Sequence, residues 1–349
     1  MKQDILSRGQ WGALLWAAAL APAVELLPGI SLGLAGRGAW LSPLAALLVL
    51  LPVLWLGRRG DARSFRTCLP GKLLLALCAV WMELLMILRL GLCARRMLWA
   101  GERDGAVWYF LLTLTAIALW MGEGRLAALG RAGQIFLIML LAAAALVLGL
   151  SLPQVRVDRV FPLWTEDLIP VLRTGLNTAG SLCWAVLPML LLPAQERKGK
   201  NILFWGVGGC LLLTLAQIII LGNLGVGLSA RSVSAFFALT KSVGIEGAFQ
   251  RVESVVSALW MLSDLTACVI LTHAIGLAGE GAMFHVKRET VSSFALLAAA
   301  GVSLWMLRWG APFEVWNREW VWLGNLIACV LAALWLWRFS AIGKKTKTE

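Results

Sequence analysis

The stretch Trp11–Leu34, with the sequence WGALLWAAALAPAVELLPGISLGL, restricts the fold of this chain more than any other. It is long and apolar enough to cross a bilayer, because about 20 helical residues span the hydrocarbon. Proline removes a backbone donor, so Pro22 predicts that the helix opens at Ala21-Pro22-Ala23, just before Glu25. Freed backbone groups and a carboxylate are costly in lipid. The stretch is therefore predicted to line a cavity or a protein interface.

The composition is that of a polytopic membrane protein. The chain is 60% hydrophobic and 14% charged, whereas soluble domains are about 25% charged. The net charge of +12 comes from basic residues in short loops, such as Arg58-Arg59, which the positive-inside rule explains better than nucleic-acid binding does. The seven cysteines form no CxxC pair, so neither a metal site, a disulfide framework nor a cofactor is expected.

Hydropathy predicts ten membrane spans in one integral membrane domain covering residues 1–349. The spans are 11–34, 39–56, 71–98, 106–121, 131–151, 169–192, 201–223, 251–278, 291–307 and 320–338. An even number places both termini on one side, and the basic loops favour the cytoplasm. A first repeat is predicted over about 9–151 and a second over about 168–339, followed by a cytoplasmic tail at 340–349.

The sixth span carries a small, polar run that corresponds to the proline-containing centre of the first span. The run includes Asn177, Thr178, Ala179 and Gly180. Glycine inside a helix costs about 1 kcal/mol relative to alanine. Two interruptions at corresponding positions predict a five-plus-five inverted-repeat transporter with a mid-membrane site. The alternative is that these glycines only allow close helix packing.

Ionisable residues inside the spans are functional candidates, because one charge at a helix centre costs about 2.5–3.5 kcal/mol. The candidates for ion or proton coupling or for gating are Glu83, Arg89, Glu253 and Asp264. Glu253, Trp260 and Asp264 share one helical face, which predicts a polar track from the outer surface inward. An ion pair of Asp264 or Glu83 with Arg89 would instead only tie helices together. Both interpretations stay open.

The sequence favours a protein that is not an enzyme. Its two histidines, His273 and His285, form no HExxH motif, so the usual zinc-protease constellation is missing. No GxSxG nucleophile motif occurs either.

Several short motifs follow one another along the chain. They are Leu26-Leu27-Pro28 with Ala35–Leu41, Gly122–Arg131, Phe161-Pro162-Leu163 with Leu168-Ile169-Pro170, Leu191-Leu192-Pro193 with Gln195–Lys198, and Phe249–Ser254 with Trp260. In order and spacing this set resembles the B-subunit permease of bacterial spore nutrient-germinant receptors. That family belongs to the amino acid–polyamine–organocation transporter superfamily, and the resemblance covers nearly the whole chain.

The resemblance implies an all-α fold of about ten transmembrane helices, with helices one and six broken. It implies residence in the inner spore membrane. The expected role is binding of a small germinant, such as an amino acid, and signalling of germination. The expected partners are a receptor A subunit, a C-subunit lipoprotein and membrane lipid, and no nucleic acid.

The predicted pocket lies between the two interrupted spans. Its ligand-binding residues are predicted to be Ala21, Pro22, Ala23, Glu25, Asn177, Thr178, Ala179, Gly180 and Thr266. Exposed amides near helix N-termini would hold a ligand carboxylate, and Glu25 would meet an ammonium. The resemblance places Thr266 in the pocket wall, and it shows Glu25 at a position that the family commonly leaves uncharged.

Two functions follow from these predictions. In the first, the chain is a germinant-sensing subunit whose ligand shifts a conformational equilibrium. In the second, it is a proton-coupled amino-acid or amine symporter, in which Glu25, Glu83 or Asp264 titrates.

Overall fold

The structure is a computed structural model that describes residues 5–58, 62–99, 107–161, 163, 165–193, 201–232, 234–242, 252–282, 286–309 and 319–345. Parts of the resemblance motifs, at 162, 195–198 and 249–251, lie outside these residues, as does His285.

The described residues are overwhelmingly helical. The helices are α1 Arg8–Ala35, α2 Ser42–Gly57, α3 Leu69–Trp99, α4 Val107–Gly122, α5 Leu126–Ser151, α6 Val157–Val160, α7 Leu168–Leu191, α8 Asn201–Arg231, α9 Ala235–Ser242, α10 Val252–Ala282, α11 Arg288–Arg308 and α12 Glu319–Lys345. Each of the ten predicted spans overlaps one apolar helix, although the number of membrane crossings stays a prediction. The spans one to five are α1 to α5, and the spans six to ten are α7, α8, α10, α11 and α12.

Eight segments of the described chain are long and apolar enough to cross a membrane. The first, Arg8–Gly57, contains both α1 and α2, and the apolar helix α4 is shorter. The prediction of an all-α polytopic membrane protein is confirmed. The last helix continues to Lys345, so the predicted tail at 340–349 begins within α12.

The first helix is uninterrupted, and the predicted opening at Pro22 is wrong. α1 runs from Arg8 to Ala35 with Pro22 inside it. Proline has no N–H for the carbonyl four residues earlier, which belongs to Ala18. The Ser263 hydroxyl of α10 donates a hydrogen bond to that carbonyl at 3.1 Å. A neighbouring helix therefore supplies the donor that Pro22 lacks, and the backbone does not need to open.

The sixth predicted span is also a continuous helix, so the predicted interruption at Asn177–Gly180 is wrong as well. α7 runs from Leu168 to Leu191. A Cβ at Gly180 would collide with the backbone carbonyl of Trp322 in α12, and one at Gly175 would collide with Ala45 in α2. The glycines of this span allow close helix packing, which is the alternative that the sequence left open.

Within the described helices, non-helical backbone occurs inside α8. Gly225 has φ 72° and ψ 170°, a conformation that is essentially restricted to glycine. The carbonyl of Gly222, just before it, accepts hydrogen bonds from the Arg156 amide at 3.1 Å and the Arg159 guanidinium at 3.4 Å. The Arg159 guanidinium also donates to the Asn223 carbonyl. Donors from the segment between α5 and α7 thus satisfy backbone groups next to the break.

Helix packing is reciprocal between the two halves of the chain. α1 packs against α8 and α5, while α7 packs against α2 and α12. Likewise, α3 packs against α4, and α10 packs against α11. This pattern is expected if the chain consists of two five-helix units in which equivalent helices make equivalent contacts. The repeat boundaries at 9–151 and 168–339 stay a prediction. α3 and α10 pack on each other, and α1 lies against α10, which positions the site described next.

Candidate functional site

Four charged side chains meet in the interior where α1, α3 and α10 converge. They are Glu25 of α1, Arg89 and Arg96 of α3, and Asp264 of α10, here called the charge cluster. None is more than 3% exposed. Arg89 and Arg96 are seven residues apart, close to two helical turns, so they lie on one face of α3.

The charges of the cluster alternate in sign. The Arg96 Nε lies 2.7 Å from the Glu25 Oε2, and the Arg96 Nη1 donates to the Asp264 Oδ2. The Arg89 Nη2 lies 3.0 Å from the Asp264 Oδ1. Two cations face two anions, so the cluster is neutral as a whole. Buried charges are retained only when such partners offset the loss of hydration.

A fourth helix joins the cluster through an aromatic ring. The Arg89 guanidinium lies 5.1 Å from the ring centroid of Trp184 in α7. A guanidinium over an indole face at this distance is a favourable cation–π contact. Helices from both halves of the chain therefore converge on these charges.

The structure brings together some of the predicted coupling residues and separates others. Of the two ion pairs left open by the sequence, Arg89 pairs with Asp264. Glu83 is half-buried in α3, and its Oε2 has no hydrogen-bond partner among the described residues. Glu253 lies in the first turn of α10, and its side chain lies outside the described part. Arg96 was not predicted as a site residue, although its spacing from Arg89 is a usable signal.

The predicted ligand residues of α1 lie inside the bundle. Ala21, Pro22 and Ala23 are buried, and their amides belong to a continuous helix. Glu25, predicted to meet a ligand ammonium, instead holds Arg96. Ligand binding by these residues is still a prediction.

The predicted ligand residues of α7 and α10 have different surroundings. Ala179 and Gly180 are buried in the packing of α7. Asn177 is half-buried, and its Nδ2 has no hydrogen-bond partner among the described residues. The buried Thr266 hydroxyl donates to the Leu262 carbonyl of its own helix at 2.7 Å, so its hydrogen is already engaged.

Thr178 belongs to a second polar site, here called the hydroxyl–amide cluster. Its members are Ser31 of α1, Ser42 of α2, Thr178 of α7 and Gln217 of α8, each at most 1% exposed. The Ser42 Oγ lies 3.4 Å from the Ser31 Oγ, 3.4 Å from the Thr178 Oγ1 and 3.5 Å from the Gln217 Oε1. Ser31, Ser42 and Gln217 were not predicted as site residues, because isolated neutral residues in apolar runs carry no motif.

The two clusters occupy different sides of α1. Ser31 follows Glu25 by six residues, which is about 9 Å along the axis and well away around the helix. Glu25 faces α3 and α10, whereas Ser31 faces α2 and α8. One helix therefore carries a charged site and a neutral site.

An aromatic stack lies close to the charge cluster. Trp260 is fully buried and lies one turn before Asp264 in α10, so the two side chains share a face. Its ring stacks on Phe236 of α9, with the centroids 5.1 Å apart and the planes at 7°. The Trp260 indole N–H has no acceptor among the described residues.

This bundle of apolar helices, with polar side chains buried between its two halves, defines a transporter-like integral membrane protein. A sequence model of the family described as "Spore germination protein" matches residues 103–308, more than half of the chain. The chain belongs to this family of spore germination permeases. No individually curated protein matches the sequence. Asp264 lies within the matched range, whereas Glu25, Arg89 and Arg96 precede it.

Proposed function

We propose that this chain is the membrane subunit of a spore nutrient-germinant receptor, and that it binds a small zwitterionic germinant, such as an amino acid, at the charge cluster. The observation that carries the proposal is the composition of that cluster. Two guanidinium groups and two carboxylates share one buried site. These are the counter-groups that the carboxylate and the ammonium of an amino acid require.

Binding would proceed by exchange of ion-pair partners. The ligand carboxylate takes the place of Glu25 on Arg96, and the ligand ammonium is held by Glu25 and Asp264. A buried ion without a partner costs several kcal/mol. A zwitterion adds one charge of each sign to a neutral cluster, so every charge keeps a partner. A ligand with one charge leaves one group unpaired and is selected against.

In this proposal, charged side chains bind the ligand carboxylate in place of the backbone amides that the sequence predicts. The amides around Pro22 and Asn177 lie in continuous helices, so they are not presented to a ligand. Exchange at the charge cluster would also change which of α1, α3 and α10 are tied together. A ligand that favours one such arrangement shifts the population toward it, and partner subunits can respond to that shift.

We place the chain in the inner spore membrane with both termini in the cytoplasm. Its partners in the proposal are a receptor A subunit and a C-subunit lipoprotein. The proposal assigns the chain no catalytic reaction.

The test is a thermal-shift screen of the purified protein in detergent. The panel pairs amino acids with the amines and carboxylic acids that lack one of the two charges. We expect a saturable rise in melting temperature for at least one amino acid, and none for its singly charged analogues. Glu25→Gln should abolish the rise, whereas Glu123→Gln, at an exposed position, should leave it unchanged. An equal response in both variants would remove the charge cluster from the ligand site.

One observation favours the symporter as a second candidate. Glu83 is a half-buried carboxylate in a membrane span, and its Oε2 has no hydrogen-bond partner among the described residues. Such a group is suited to carrying a proton. Uptake of labelled amino acid into vesicles, driven by a pH gradient and lost in Glu83→Gln, would favour transport. Ligand binding without uptake would favour sensing.

A further inference from the structure

The hydroxyl–amide cluster has contacts too long for ordinary hydrogen bonds. Buried hydroxyls elsewhere in the chain, such as those of Thr115 and Ser151, donate at 2.7 Å. That value is usual for O–H···O bonds. The separations around Ser42 are 3.4–3.5 Å. These oxygens lie near one another, but the contacts between them are longer than an ordinary hydrogen bond.

The donors within the cluster also make only long contacts. The Ser42 hydroxyl has one hydrogen, yet it lies within reach of the oxygens of Ser31, Thr178 and Gln217. It can donate to one of them at a time. The Thr178 hydroxyl donates to Ser42 and the Gln217 amide donates to Ser31, each at 3.4 Å. Hydrogen bonds therefore join side chains from four helices, but each of these bonds is 3.4–3.5 Å long.

The separations match the edges of a cation's coordination shell. In an octahedron of oxygens, adjacent ligands are separated by √2 times the metal–oxygen distance. Edges of 3.4–3.5 Å therefore correspond to a metal–oxygen distance of about 2.4–2.5 Å, within the 2.3–2.6 Å of Ca²⁺-sized ions. Mg²⁺, at about 2.0–2.1 Å, needs edges near 2.9 Å. Na⁺ has almost the same radius as Ca²⁺.

The charge of the coordinating side chains indicates whether the ion is monovalent or divalent. All four members are neutral, whereas Ca²⁺ sites in proteins are built largely from carboxylates. Neutral oxygens suit a monovalent ion, as carbonyl oxygens do in cation filters. We propose that Ser31, Ser42, Thr178 and Gln217 form a binding site for one Na⁺ ion. This site lies on a different side of α1 from the charge cluster, and the proposal does not depend on the proposed germinant.

A further buried oxygen lies on the same helix face. Thr214 precedes Gln217 by three residues in α8, so the two side chains are neighbours. Thr214 is 7% exposed, and its hydroxyl has no hydrogen-bond partner among the described residues. It is the candidate for a fifth ligand. A buried hydroxyl without a partner is otherwise costly.

The test measures Na⁺ binding to the purified full-length protein in detergent. NaCl replaces choline chloride at constant ionic strength while the melting temperature is recorded, and KCl and LiCl are titrated in parallel. A ligand that binds only the folded state raises stability in a saturable way. We expect a saturable rise with Na⁺ and a much weaker response to K⁺. Binding of radioactive ²²Na⁺ should reach one ion per chain.

Matched variants distinguish a site from a general salt effect. Ser42→Ala should weaken the apparent Na⁺ affinity at least tenfold, since even outer-shell changes at metal sites cost about 10–100-fold. Thr178→Val should do the same, whereas Thr115→Val, at a buried hydroxyl bonded within its own helix, should not. Because Ser42→Ala and Thr178→Val each test the site, the experiment can still be interpreted if one of them does not fold. A response without preference for Na⁺, or one that persists in the cluster variants, would show that the oxygens hold only water and would overturn the proposal.

Discussion

The indole ring of Trp16 in α1 occupies the space that a Cβ at Gly209 in α8 would need. The arrangement is reciprocal, because the ring of Trp205 in α8 lies in the same way over Gly12 in α1. The Trp16 Nε1–H also donates to the Trp205 carbonyl at 2.9 Å. Two large rings each pack on a glycine of the opposite helix, so the close approach of α1 and α8 depends on both glycines.

Gly209→Ala is therefore expected to lower the free energy of unfolding by about 1–3 kcal/mol, the usual cost of overpacking a closed interface. Unfolding by SDS in mixed micelles provides the measurement. Gly208 is the matched control, because it is the preceding residue of the same helix and a Cβ there meets open space. Gly208→Ala should be neutral or stabilise by up to about 1 kcal/mol. Equal losses in the two variants would contradict the close approach.

The charge cluster predicts an asymmetry between single and double variants. Arg96→Met should cost about 3–5 kcal/mol, because it leaves the buried Glu25 without its counter-charge. Adding Glu25→Gln removes that stranded charge, so the double variant should be more stable than Arg96→Met alone. Unfolding of the four proteins of the cycle measures this coupling. Arg131→Met, at an exposed position, should change stability by less than about 0.5 kcal/mol. Additive losses would show that Glu25 and Arg96 do not interact.

The hydrogen bond from Ser263 to the Ala18 carbonyl predicts a dependence on Pro22. In the native chain, Ser263→Ala should cost about 1 kcal/mol, because a buried carbonyl loses its donor. In a Pro22→Ala background the helical N–H at position 22 is restored, so the same substitution should cost less. A thermodynamic cycle over the four proteins measures the difference. An equal cost in both backgrounds would mean that Pro22 does not determine the role of Ser263.

Because Gly225 has a positive φ, replacing it with any other residue is predicted to strain the backbone locally. Gly225→Ala should destabilise by about 1–3 kcal/mol, because side chains rarely adopt this conformation. Hydrogen exchange of the amides following the break should increase with it. Gly227→Ala is the control, since a Cβ there meets open space and this glycine has no positive φ. Similar stability for the two variants would argue against the break inside α8.

Hydropathy was sufficient to predict the apolar helices that overlap the ten spans, because the length of an apolar run is a local property of the chain. The same local reasoning was wrong about the interruptions. Pro22 predicts an opening of α1, but Ser263, a residue far away in sequence, donates the hydrogen bond that Pro22 cannot make. Gly225 lay in a glycine-rich segment at a span end, and the sequence did not distinguish its backbone from that of a packing glycine.

The candidate site was predicted in part. Glu25, Arg89 and Asp264 stand out because charges within apolar spans are costly. Their partners depend on how three helices are rotated against one another, which one sequence does not determine. Arg96 falls near the end of its span, where a basic residue is ordinary, so its spacing from Arg89 was the one local signal that it shares the buried face. The oxygens around Ser42 are neutral and come from four helices, and tertiary packing alone brings them together.

The neutrality of the charge cluster has a consequence for the membrane voltage. Moving one elementary charge through a potential of 100 mV changes the energy by about 2.3 kcal/mol. A rearrangement that carries Glu25, Arg89, Arg96 and Asp264 together moves no net charge, so the field does almost no work on it. A rearrangement that parts Glu25 from Arg96 along the membrane normal moves opposite charges separately and becomes sensitive to voltage. Gating currents would therefore tell whether this pair stays closed or opens when the protein changes state.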